Sequence, residues 1–152
     1  MNPMLKTWRR LSAYPGGKRL FSKAVCLKAP YFSTISPRFE ELDTGRAVVR
    51  IRERRGLHNH IGTVHAIALC NLAEVAGGLT SEVSMPRGMR WIPAGMTVRY
   101  LKAAKGVLTA HAQMRDIEVG EKGEVPVNVE VKNEAGEVVF AAEIMMHVSP
   151  AR

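Results

Sequence analysis

This chain of 152 residues lacks most of the features that mark a specialised protein. It has two cysteines, Cys26 and Cys70, too few and too far apart for a disulfide framework or a zinc-ligand spacing. No apolar run reaches the length that crosses a bilayer. No uninterrupted apolar core follows the N-terminal charges, as a secretory signal would require. Internal repeats and low-complexity tracts are missing too, so neither a solenoid nor a disordered polar tract is expected. What is left is a single soluble, intracellular domain, cytoplasmic and large enough to bury a core.

A further absence is local. Residues 1–38 hold Lys6, Arg9, Arg10, Lys18, Arg19, Lys23, Lys28 and Arg38 and no acidic residue. From Phe39 onward the charges balance, so the net charge of +8 resides in the first quarter of the chain. A neutral body argues against a nucleic-acid binder, which needs a basic face on the folded domain. Pro3 can open a helix running to Leu11, and Lys18 to Leu27 can form a second after the Tyr14-Pro15-Gly16-Gly17 break. Trp8, Phe21 and Val25 call for burial, which favours helices that pad the main domain over a membrane-surface arm or a transit-like leader. A basic arm would also suit a phosphate-bearing ligand. The expected boundaries are a basic helical extension over 1–29 and a main domain over 30–152.

The most apolar stretch runs from Val64 to Ala76, with His65, Asn71 and Glu74 as its strongly polar members. Its length and lack of alternation predict a buried helix, capped by Thr63 and stopped by Gly77-Gly78. One face of that helix (Ala66, Cys70, Ala73, Gly77) is small enough for another backbone to approach closely. Glu74 is out of place there, because a buried carboxylate is costly unless paired or protonated.

Strand periodicity surrounds this helix. Phe32 to Leu42 and Arg46 to Arg54 flank a turn at Asp43-Thr44-Gly45. Thr80 to Pro93 reads as irregular. Thr97–Leu101, Val107–Glu118, Val125–Lys132 and Val138–Val148 read as strands, with short turns that imply antiparallel hairpins. The fold class is therefore α+β, an antiparallel sheet of five or six strands wrapped around one long helix.

That order of elements resembles the hotdog fold. Asn59, Gly62, His65-Ala66-Ile67 and Glu74 resemble the signature of hotdog acyl-CoA thioesterases of the phenylacetyl-CoA type. There the pattern is Asn, a loop Gly, His-Gly-Gly and then Asp or Glu on the helix. The run Val98-Arg99-Tyr100-Leu101-Lys102-Ala103-Ala104-Lys105-Gly106 is similar to the strand and basic turn that follow in that family. The resemblance covers roughly residues 30–148. The N-terminal helices resemble a branch labelled domain of unknown function 4442. Ala66 and Ile67 depart from the paired glycines, narrowing the space beside a thioester.

The resemblance implies hydrolysis of an acyl-CoA thioester, without metal or separate cofactor, coenzyme A being part of the substrate. It implies Glu74 as base or nucleophile and the Ala66 N–H as oxyanion donor, contributed by different protomers of an obligatory dimer that could pair into a tetramer. Asn59 and His65 would position the thioester or water. Gly62, Thr63, Arg99, Lys102 and Lys105 are the candidate substrate contacts, the cations suiting the phosphates of coenzyme A. Met85, Met89, Trp91 and Met96 are candidates for an acyl pocket. Two alternatives stay open: an acyl-CoA-binding protein without turnover, and a hotdog dehydratase using His60 and Glu74. Neither nucleic acid nor stable membrane insertion is expected.

Overall fold

The computed structural model describes all residues, Met1–Arg152. Two helices open the chain, α1 (Pro3–Ser12) and α2 (Gly17–Lys28), followed by a 3-10 helix over Pro30–Ile35. Then come β1 (Arg38–Asp43), β2 (Arg46–Arg52), α3 (Ala66–Ser84), β3 (Met89–Tyr100), β4 (Val107–Met114), β5 (Gly123–Lys132) and β6 (Val138–Pro150). The six strands form one antiparallel sheet in the order β1-β2-β4-β5-β6-β3. The sheet wraps α3, which is the hotdog arrangement. No helix is long and apolar enough to cross a membrane.

The α1 and α2 helices are part of the core. Leu5, Trp8, Phe21 and Val25 belong to the same 35-residue cluster as α3 and the sheet. Phe21 sits edge-on to both Trp8 (5.1 Å) and Phe39 of β1 (5.5 Å), the geometry aromatic quadrupoles favour. In β5, Val125, Val127, Val129 and Val131 face inward, as do Phe140, Ala142, Ile144 and Met146 of β6.

Four expectations need correction. First, α3 does not stop at Gly77-Gly78 but runs on to Ser84. A Cβ on Gly77 would lie 2.9 Å from Ile144 Cδ1, and one on Gly78 3.3 Å from Trp91. These glycines admit the sheet instead of ending the helix. The turns beyond them stay helical although polar, because Thr80, Ser81 and Ser84 donate their hydroxyls to carbonyls four residues back. Second, the cap of α3 is His65, whose Nδ1 accepts the Ile67 N–H at 3.0 Å, while Thr63 is occupied within its loop. Third, residues 32–35 belong to the 3-10 helix, and β1 begins at Arg38. Fourth, the span expected to be irregular supplies the first half of β3, which is twelve residues long. Pro93 and Gly95 disguised it. Both are tolerated because β3 is an edge strand with a register shift at that point.

Candidate active site

The loop before α3 is held by its own side chains. Asn59 Oδ1 accepts the N–H groups of Ile61 (3.1 Å) and Thr63 (3.0 Å), and Asn59 Nδ2 donates to the Thr63 hydroxyl (2.8 Å). Gly62 takes φ of +78° at the turn, where a side chain would be strained. Asn59, Gly62 and the buried Thr63 therefore shape the loop that delivers the chain to α3. His60 projects from this loop, exposed and without a hydrogen bond.

The backbone path leaves two first-turn donors free, the N–H groups of Ala66 and Ala68. Val64 N–H donates to Ala104 O and His65 N–H to Leu57 O, which ties both sides of the helix start to neighbouring segments. The His65 ring takes the Ile67 N–H, and Leu69 N–H reaches His65 O. The Ala66 N–H has no partner. It is a first-turn donor at the positive end of a 19-residue helix. The cap thus presents the neighbouring N–H instead of consuming it.

Glu74 lies two turns further along. It is half-buried, accepts no hydrogen bond and has no ion-pair partner. Burial alone pushes its carboxyl above the ordinary range, as desolvation does to any acid. On one side of it Cys70 approaches the Tyr100 hydroxyl of β3 at 3.8 Å. On the other, Asn71 donates to the Thr34 hydroxyl at 3.1 Å. Two helical turns beyond, Trp91 Nε1 donates to Glu82 at 3.0 Å. The turn before Glu74 is therefore tied to β3 through Cys70 and to the 3-10 helix through Asn71. Trp91, Met96, Val98 and Tyr100 pair with buried residues of β6 and share the helix-facing side of β3.

The expected cations are not gathered with Glu74 by any contact. Lys102 is ion-paired with Glu137, Lys105 lies in the field of Glu53, and Arg99 is exposed without an ion pair. No cluster of His, Cys, Asp and Glu could hold a metal ion. Tyr100, Asn71 and Thr34 were not singled out from the sequence as site residues. Asn71 alone left a trace there, as a polar residue in the same helical row as Glu74.

Six antiparallel strands around one long helix, behind a histidine-capped loop, place the chain in the hotdog thioesterase superfamily. The chain belongs to the family described as Domain of unknown function (DUF4442), whose profile matches residues 17–148. A structural-genomics crystal structure is 44% identical, with a TM-score of 0.84, covering 97% of this chain and 99% of that one. A Pseudomonas aeruginosa protein, described as of unknown function and a probable thioesterase, is 26% identical with a TM-score of 0.71 over 80% of this chain and 87% of its own. A Staphylococcus aureus thioesterase shares the fold at 19% identity, with a TM-score of 0.70 over 79% and 98% of the two chains. No curated protein matches.

Proposed function

We propose that this protein hydrolyses an acyl-CoA thioester to a carboxylic acid and free coenzyme A. The observation that carries the reading is the presence of an unpartnered, partly desolvated Glu74 and a free N–H at Ala66 on the same helix. Neither feature serves the fold. A carboxyl raised by desolvation suits a general base. The thioesterases that share the fold support the same chemistry.

In this mechanism the Glu74 carboxylate takes a proton from water as the oxygen attacks the thioester carbonyl. The oxyanion forms against the Ala66 N–H, a donor already oriented and without a competing partner. Collapse of the tetrahedral intermediate breaks the C–S bond, and the proton held by Glu74 passes to the departing thiolate. Direct attack by the carboxylate would give an anhydride that water then opens.

The two groups do not meet within one chain. Eight residues of helix separate them, about 12 Å along the axis, too far for one carbonyl. A homodimer joined along the free edge of β3 brings Glu74 of one protomer toward Ala66 of its partner, and dimers could pair further.

A second reading, binding without turnover, draws on Ala66 and the exposed Ile67, whose Cβ atoms crowd the oxyanion position. Release of free thiol from a panel of short, long and aryl acyl-CoAs separates the two. Turnover that collapses in Glu74→Ala while binding persists supports hydrolysis. Tight binding with no turnover on any substrate rejects it.

A further inference from the structure

Away from Glu74, α2 and the 3-10 helix enclose a groove of about 700 Å³. Arg19 and Lys23 line it from α2, Arg38 lines it from the start of β1, and no acidic residue contributes. Arg38 is drawn partly toward Glu40, which also takes Lys18 and Arg50. Arg19 and Lys23 have neither an ion-pair partner nor a hydrogen bond. They stand four residues apart on one helix, close enough for both to reach a single anion. Pro30, Pro37 and Leu27 add apolar surface beside them. The Cys26 thiol in the same wall is held in its neutral form by burial, so it adds no competing negative charge.

Isolated surface cations usually point separately into solvent. Here the charges share one recess with a flat apolar wall, the complement of a ligand that is anionic at one end and apolar or aromatic in its body. We infer that this groove binds the phosphate-bearing end of such a ligand. On the thioester reading, on which this step rests, that end is the 3′,5′-ADP portion of coenzyme A. The geometry allows a connection. Pro30, Ser33 and Ser36 face the groove, whereas Tyr31 and Thr34 line a smaller recess with His65, Ile67 and Asn71. Only the 3-10 helix separates the two, and a flexible arm can pass over it toward the start of α3.

The test is equilibrium titration of the full chain with 3′,5′-ADP, beside co-sedimentation with phosphatidylcholine vesicles with and without phosphatidylglycerol. The variants are Arg19→Gln/Lys23→Gln and, as an equal-charge control on α1, Lys6→Gln/Arg10→Gln. Saturable nucleotide binding, weakened about tenfold or more by the first pair and unchanged by the second, is expected. The same pattern with anionic vesicles alone supports the anion site and makes a lipid headgroup its source. Binding to neither probe, or equal losses in both variants, overturns the proposal. Acyl-N-acetylcysteamine thioesters lack the nucleotide, so their hydrolysis by the wild type tests the thioesterase reading separately. The groove can therefore stand while that reading falls, and the reverse.

Discussion

The sheet has two free edges, and they are built differently. β1 is six residues long, carries Arg38, Glu40, Glu41 and Asp43, shifts register after Phe39, and has α1 and α2 packed against it. Short length, charge and cover are the usual protections of a sheet edge against pairing with another chain. β3 is twelve residues long and has no charge from Trp91 to Val98. Ile92 is 61% exposed and Tyr100 56%. An edge so long and uncharged has none of those protections. The helical turn before Glu74 touches this edge through the Cys70–Tyr100 contact. The difference teaches which edge is open to a partner: β3 lacks the length limit, charge and cover that protect β1.

The sharpest way to break this comparison is to disable each half of the composite site. Glu74→Ala should lower turnover by about 100–10,000-fold with little change in fold, measured as thiol release. Ala66→Pro deletes the free N–H at the first helical position, where proline is tolerated. His65 is already extended, with ψ of 139°, as a residue before proline must be. Its expected loss is about 100–1,000-fold. Mixing the two inactive variants should restore part of the activity, because one hybrid site in each mixed dimer is intact. No recovery after proven subunit exchange would place the whole site within one chain.

Charging the open edge comes next. Ala94→Lys/Thr97→Lys should shift the chain from dimer to monomer in analytical ultracentrifugation and lower turnover with it. The same exercise on β1, Glu41→Lys, should leave assembly unchanged. Gly77→Leu probes the packed half of α3. It forces a side chain against Ile144 and should cost about 1–3 kcal/mol, read as a fall in thermal midpoint of about 2–4 °C per kcal/mol.

The smallest expected effect concerns Glu74 itself. Burial raises its pKa above the unfolded value, so the folded chain holds that proton more tightly. The stability due to this group is present at acid pH and lost as pH rises through the raised pKa. Glu74→Gln should therefore raise the thermal midpoint by a few degrees at neutral pH and flatten its pH dependence. Turnover of the wild type should rise over the same pH window, because the base must be ionised. A wild-type stability that climbs through that window would contradict a raised pKa.

Much of this was legible from residue pattern. The helix around Leu69 and Leu72, the alternating valines of β5 and the inward face of β6 all follow from periodicity. The polar Glu74 within an apolar run was legible as an oddity, and its desolvation follows in the fold. The length of β3 was not legible, because Pro93 and Gly95 break a strand pattern unless the strand lies at an edge. Nor was the continuation of α3. Gly77 carries the same local signal whether a helix ends or a sheet side chain presses against it. The jobs of Asn59 and His65 could not be read either, since a side chain that holds its own loop and one that holds a substrate have the same identity.

By itself the sequence determined which residues are apolar and at what period, and hence one helix within one sheet, together with the placing of all excess charge ahead of Phe39. Those are local properties, set by side-chain chemistry and backbone preference within a few residues. Tertiary structure alone decided that Glu74 would be half-buried and unpaired, that β3 would be the open edge, and that Arg19 and Lys23 would share a groove with Arg38. Each of these depends on what distant segments bring into contact, and desolvation and pairing are properties of that contact rather than of the residue.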